Sequence, residues 1–559
     1  MKRLRWAAAS TLTLAGSLVA CSSAPRVDSS GRVPNFVSSR FSARDLSVYT
    51  VNSDAWLAKL RLLESAREGA SLAYYTLEAD ESTAVLLDEL IKKTRQNPRF
   101  EVKILVDYWQ SQAQLPLLKF LAAQPGFEVR RHGAPDPSFV EGLRSFGVDP
   151  TEFLVSLMKS DKEGLLASIR NSKLISMAGA IRESVAARTR GRGGESDPGR
   201  SLSFVSPILA SQSRDPNVAA VLKGLRAFLH WNHFKLTLAD RRCFVMGGRN
   251  LSDQYHLEPK DPRVKERPYV FLDTDVGACE SSAGAQTASF AGLWNSPRNV
   301  KVNESLFEKT PAPALGASEF SALASRGRAA MPSRFSAAPL ALAGSATAVV
   351  ADNQPPVSEK SANILREYVS RIRALKKGES LVLVNAYFYL DDQWPLYVDQ
   401  GRLGARSLSN LHDAVVEAAR NGVDVSVYTN SDATTDLAIV NYQAFRGYRE
   451  LVEAGVKLFE LAPDQGSLHS KAAVFGDREM AVGSFNLDPR SHLYDTNNVL
   501  FFEGARSAEL TAGYLAQVRA FRWNAVDEGR LKVIDDTLRV PDAGKQKLFR
   551  AINAIREVL

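Results

Sequence analysis

Two stretches, "HFKLTLADRRCFVMGGRN" at 233–250 and "LHSKAAVFGDREMAVGSFN" at 468–486, follow one plan. Each has a histidine, a lysine two places on, and an Asn-bearing turn that starts fourteen residues after the histidine: Gly247-Gly248-Arg249-Asn250 in the first, Gly483-Ser484-Phe485-Asn486 in the second. On a strand, residues two apart share a face, so His233 and Lys235 point the same way, as do His469 and Lys471. The first copy has Asp240 five places after its lysine. In the second copy Gly476 stands there and Asp477 follows. Because the distance from His469 to the turn is kept, Asp477 is a neighbour of the missing aspartate and not a shifted copy of it.

The surroundings repeat as well. Upstream of the first copy, the helical pattern "DAWLAKLRLLESAREGA" (54–70) leads to the strand-like "SLAYYTL" (71–77), the helix "STAVLLDELIKKTRQ" (82–96) and the strand "FEVKILVDYW" (100–109). Upstream of the second, "NILREYVSRIRALKKG" (363–378), "SLVLVNAYFYL" (380–390), "LSNLHDAVVEAARNG" (408–422) and "VDVSVYTNS" (423–431) give the same order. Alternating strand and helix predicts a parallel α/β layer in each half, and the long-period duplication predicts two similar lobes. Residues 136–215 have helical apolar spacing and few strand signals, which predicts a helical insertion in the first lobe. The Ala/Pro/Ser/Gly-rich stretch 309–357 reads as a packed linker between lobes.

The chain has 559 residues, 45% hydrophobic and 24% charged, enough to bury more than one core. A net charge of +8 favours polyanionic neighbours such as phospholipid headgroups or nucleic acid. Only three cysteines are present, which argues against a disulfide scaffold; with Cys21 in the leader, one bridge between Cys243 and Cys279 stays open. Lys2, Arg3 and Arg5 precede the apolar run 6–20, too short to span a bilayer, and "LVAC" ends at Cys21. This leader resembles a bacterial lipoprotein signal with its lipobox. The resemblance implies a signal peptide at 1–20, lipidation of Cys21, a tether at 21–40 and a periplasm-facing protein, with the outer membrane favoured over the inner by the absence of Asp after Cys21.

The duplicated His-x-Lys pattern resembles the phospholipase D superfamily. With "AYYTLEADES" (73–82), "DTD" (273–275), "FAGLWNS" (290–296), "TNSDATTD" (429–436), "FRGYRELVEAGVKLFEL" (445–461) and "GSFNLDPRS" (483–491), it is similar to the bacterial cardiolipin synthase branch. The implied fold is two phospholipase D-type α/β lobes packed as a pseudo-dimer, at 41–308 and 358–559, with one site at their junction, complete in one chain. The implied activity is phosphatidyl transfer through a phosphohistidine, making cardiolipin or a related phospholipid. Hydrolysis of phospholipid or nucleic acid, and a weakly active lipid-binding envelope lipoprotein, are the competing readings.

A phosphodiester repels nucleophiles by its charge. Lys235, Lys471, Asn250 and Asn486 suit its non-bridging oxygens, and two imidazoles divide nucleophilic and acid/base work. By analogy within the family, His233 is assigned as nucleophile and His469 as acid/base, with Asp240 completing the first motif. No cofactor, metal or obligate protein partner is expected, and phospholipid at a membrane surface is the expected substrate, ahead of nucleic acid. His230 and Trp231 read as wall or surface residues, Arg490 and Ser491 as structural. The family tends to place an acid after each turn to orient an imidazole. Asp273 or Asp275 fills this place in the first lobe and Asn497 in the second, near Asp495, so an asymmetric site is expected.

Overall fold

The computed structural model describes residues 38–135, 137–150, 230–263, 270–280, 284–302, 313–336, 338–342, 344–353, 362–390 and 404–539. Cys21, the leader and most of the insertion at 136–215 lie outside the described residues; of the insertion, a helix at Pro137–Ser145 is seen.

The strands of the first half are β1 Ser38–Tyr49, β2 Gly69–Tyr74, β3 Glu101–Asp107, β4 Phe127–His132, β5 Lys235–Ala239, β6 Cys243–Gly247, β7 Phe271–Leu272, β8 Asp275–Glu280 and β9 Asn299–Lys301. After a short β10 at Leu340–Ala341 come β11 Ala346–Asn353, β12 Ser380–Asn385, β13 Asp424–Thr429, β14 Lys457–Leu461, β15 Ser467–Leu468, β16 Lys471–Phe475, β17 Glu479–Gly483, β18 Asn497–Gly504 and β19 Trp523–Ala525. Pairing runs β9-β4-β3-β2-β5-β6-β8-β1 and continues through β11-β18-β17-β16-β12-β13-β14-β19. The second series is the first read backwards, so the two halves meet at the antiparallel β1–β11 seam as a pseudo-dimer in one mixed α/β sheet.

Local chemistry explains the elements. The helix Glu81–Gln96 starts where the Asp80 carboxylate accepts from Thr83 N at 3.1 Å, and it ends with Lys93 and Arg95 against its negative end. Leu86, Leu87, Leu90 and Ile91 are buried in the first half's outer core. A second outer core belongs to the other half, around Leu383, Val415 and Phe501. Between them lies a shared core in which Leu236, Met246 and Val276 pack with Val474, Val482 and Leu500. Burial on both faces of the central strands is what makes the duplicated halves one body.

The stretch 309–357 differs from its reading as a linker. The helix Ala317–Ala330 docks on Glu81–Gln96 through Phe320, Ala324 and Gly327, where a Cβ at Gly327 would meet Glu81 O at 2.2 Å. Next, "APLALAGSATAVV" supplies β10 and the start of β11, the strand that opens the second half. Small residues there suit a strand covered on both sides by β1 and β18, and the same composition imitates a linker. The tether likewise ends earlier than 40, since β1 begins at Ser38. Cys243 and Cys279 face each other across β6 and β8 and form a disulfide. No helix among the described residues is long and apolar enough to cross a membrane.

Candidate active site

The two His-x-Lys segments enter the shared core as β5 and β16, beside β2 and β12. Each histidine lies just before its strand, and both pairs are nearly sealed: His233 is 7% exposed, His469 6%, Lys235 and Lys471 1% each.

Each histidine is held by the opposite half. His233 N donates to Thr496 O at 3.0 Å, and His469 N to Leu272 O at 2.7 Å. The rings follow the same crossing. His233 Nδ1 lies 3.0 Å from both Ser484 O and Asn497 Oδ1. His469 Nδ1 lies 2.6 Å from Asp273 Oδ2. Asp273 was expected to serve the first lobe and Asn497 the second; the structure exchanges them. β7 and β15 run side by side in parallel, which brings Asp273 to His469, and the parallel bridge between Asn232 and Thr496 brings Asn497 to His233. Asp275, the other candidate, instead pairs with buried Lys59 at 2.5 Å, with Arg249 Nη1 at 3.7 Å.

Carbonyl and amide oxygens only accept hydrogen bonds, so the neutral His233 ring carries its proton on Nδ1 and leaves the Nε2 lone pair free. The carboxylate at Asp273 sets the same tautomer in His469 and can also stabilise its cation. Asn497 fits its place as an amide: its Nδ2 donates to Ser491 O at 2.9 Å and Asp495 O at 3.3 Å. A carboxylate would set an oxygen against two carbonyls. On the first side, a Cβ at Gly248 would meet Asp273 Oδ1 at 2.2 Å, whereas the matching Ser484 uses its Oγ to donate to Asn497 Oδ1 at 3.0 Å.

Lys235 Nζ donates to His233 O at 2.9 Å and lies 5.1 Å from the Tyr75 ring centre. Lys471 Nζ donates to His469 O, lies 2.9 Å from His469 Nδ1, and is 5.9 Å from the Tyr387 ring centre. Burial, then Lys235 and Lys471, hold His233 well below the usual imidazole range. Burial, then Lys471, Lys235 and Arg249, do the same to His469. Burial also lowers both lysines, Lys471 to about 8. A centre in which burial and two lysines depress both imidazoles would gain from an anion, and a bound phosphodiester would offset the repulsion.

Of the two asparagines, Asn250 Oδ1 accepts from Thr76 N at 3.3 Å. Asn486 is 5% exposed and its amide oxygen has no hydrogen-bond partner. Asp240 is not with the imidazoles. It occupies the hairpin at the far end of β5, with φ 50°, and its carboxylate accepts from the backbone N–H groups of Arg67, Glu68 and Gly69 at 2.7–3.1 Å. Gly476 holds the matching left-handed position, φ 65°. There Glu379 takes over, accepting from Lys376 N at 2.7 Å and pairing with Arg478 at 2.9 Å. The missing aspartate is a missing clip and not a missing catalyst. Asp240→Ala should therefore lower stability by about 1–3 kcal/mol in urea unfolding while kcat stays within a few-fold; a thousandfold loss of kcat in a folded variant would contradict this placement.

Several site residues lacked a motif. Tyr75 and Trp231 line the His233 side, where Arg490 stacks 3.5 Å from the Trp231 ring centre and lies 3.4 Å from Asp495. Tyr255, Phe271 and Tyr387 surround His469, with Tyr255 OH 3.4 Å from Nε2. Asp107 accepts from Asn232 N at 2.9 Å, and Asn430 bonds both N and O of Leu468, so each pins the residue before a histidine. The runs "AYYTL" and "TNSDATTD" were the available signals for Tyr75 and Asn430.

Residues 400–519 match the family model described as cardiolipin synthase, PLD-like domain. An uncharacterized protein of Helicobacter pylori (strain ATCC 700392 / 26695) is 25% identical over 340 residues, 54% of this chain and 61% of that protein. Cardiolipin synthase C of Escherichia coli (strain K12) is 31% identical over 137 residues, 20% of this chain and 29% of that one. The chain thus spans less than two thirds of the length of these relatives. Among solved structures, phosphatidylserine synthase of Haemophilus influenzae Rd KW20 has the same fold, with a TM-score of 0.51 at 12% identity, covering 94% of this chain and 98% of that one. The matched domain and the shared fold are those of phospholipase D-type proteins, and the paired His-x-Lys strands agree with that likeness.

Proposed function

We propose that the chain is a membrane-tethered phosphatidyltransferase that makes cardiolipin or a related phospholipid through a phosphohistidine. The observation that carries this reading is the buried centre of His233, Lys235, His469 and Lys471, with two imidazoles held by unlike partners. In the first step His233 Nε2 bonds to phosphorus as the bond to the leaving alcohol breaks, and His469 gives its proton to the departing oxygen. The lysines hold the non-bridging oxygens, and the charge of the phosphodiester lets His469 carry that proton. In the second step an alcohol yields its proton to His469 while its oxygen bonds to phosphorus and the phosphorus–nitrogen bond breaks. Donor and acceptor supply every atom.

The leader ending at Cys21 supports lipid anchoring in the bacterial envelope, which keeps the site at its substrate's surface. The Cys243–Cys279 disulfide supports a periplasm-facing, oxidising compartment.

The test is to incubate purified protein with labelled phosphatidylglycerol, with and without phosphatidylethanolamine or glycerol, and to resolve products by mass. Cardiolipin or exchanged headgroups are expected. Phosphatidic acid alone would make the protein a hydrolase, and no product from either wild type or His233→Ala would leave only lipid binding. In the same preparation, an unacylated N-terminal peptide would remove the anchor.

A further inference from the structure

The two halves match in register around the imidazoles, and one wall differs by an added acid. Tyr74 pairs with Lys235 as Asn385 does with Lys471, so the residue two places on is Thr76 in the first half and Tyr387 in the second. The same registers set Asp107 against Asn430. Beyond these, residues 108–113 of the first half, "YWQSQA", contain no acid, whereas 431–436, "SDATTD", end in Asp436.

Asp436 lies inside the site. Its Oδ1 accepts from Tyr387 OH at 2.5 Å, and that ring stands edge-on to His469 with centres 6.5 Å apart. The field of the carboxylate reaches Lys471 and Tyr255. Burial pushes its own pKa up, opposed by Tyr387 and Lys471. Burying a carboxylate among tyrosines has a desolvation cost that its hydrogen bonds and Lys471 oppose, and such a group in a site is a candidate for binding. The adjoining Leu437, 47% exposed, is one of two large apolar side chains left outside among the described residues, which suits a mouth that meets lipid.

Resting on the transferase reading above, we propose that Asp436, steadied by Tyr387, is the specificity contact for the entering alcohol, accepting a hydrogen bond from a second hydroxyl and so selecting a glycerol-type acceptor over a simple primary alcohol. The acid is on the His469 side, where the alcohol must come and go if His233 attacks. Tyr387 and the backbone N–H groups of Asp436 and Leu437 steady the carboxylate, whose oxygens have lone pairs enough to accept one donor more. A neutral hydroxyl fits better than an ammonium: when the alcohol enters, His469 is neutral, the phosphohistidine carries no net charge, and Asp273 and Asp436 stand against Lys235 and Lys471.

The experiment uses mixed micelles of phosphatidylglycerol, with deuterated glycerol, 1-propanol or ethanolamine added as acceptor, and the wild type, Asp436→Ala and Asp436→Asn. Wild type should favour glycerol. Asp436→Ala should lower the glycerol-to-propanol ratio of kcat/KM about tenfold, mainly through KM for glycerol. Asp436→Asn, near in shape and still an acceptor, should retain part of the preference, and its melting curve guards against misfolding. An unchanged ratio in Asp436→Ala would overturn the assignment while leaving transfer intact. Wild-type preference for ethanolamine would overturn the hydroxyl in favour of an ammonium. Phosphatidic acid alone with every alcohol would remove the transferase reading and this contact with it.

Discussion

His469→Ala is expected to react once and stop. Given a phosphatidyl donor with a p-nitrophenyl leaving group, which departs as a stable anion, His233 needs no acid to form its bond to phosphorus. The variant should release one equivalent of p-nitrophenol per protein and then stall, because no base remains to deprotonate the incoming alcohol. His233→Ala should release none. With natural donors both variants should lose roughly a thousandfold or more in turnover, the scale of a nucleophile or positioned acid. Rapid-quench measurement of the burst, with mass analysis of the trapped peptide, reads the result. A burst from His233→Ala and none from His469→Ala would exchange the two roles.

The second large effect concerns the residues that hold the imidazoles. Asp273→Asn should lower kcat by about two to four orders of magnitude, since an amide can turn its N–H toward His469 Nδ1 and cannot stabilise the imidazolium. Asn497→Asp should behave differently. A new anion beside His233 raises its pKa, and because attack needs the neutral ring, activity would fail at a higher pH as the solution is acidified. The acid limb of the pH–rate profile should move up by about one unit or more. The plateau should not rise, because the carboxylate meets Ser491 O and Asp495 O where the amide donated to both. A faster plateau in Asn497→Asp would mean that the amide limits the native site.

Much of this was readable from local pattern. Strand alternation put His233 with Lys235 and His469 with Lys471, and the constant spacing to Asn250 and Asn486 revealed the duplication before any fold was known. What failed were inferences across the junction. Sequence order suggests that Asp273 serves the nearer histidine, yet β7 beside β15 delivers it to His469, and the Asn232–Thr496 bridge delivers Asn497 to His233. Asp240 was misplaced for a related reason: it lies close to His233 along the chain, while an extended β5 carries it away to the hairpin. The second half's first strand was hidden by composition, since Ala346–Asn353 is packed tightly enough between neighbours to need small residues. Tyr387 and Asp436 had no visible partner until the fold joined the end of β12 to the loop after β13.

The exchange of holders has a consequence for how such a duplicated chain can change over time. A substitution in one copy is felt by the histidine of the other, so the copy whose motif looks eroded is not the one whose chemistry is altered. Asn497 belongs to the second copy and acts on His233 of the first. Neither copy could be inherited alone as a working unit of this site: the two motifs form a single heritable trait spread over distant stretches of the chain.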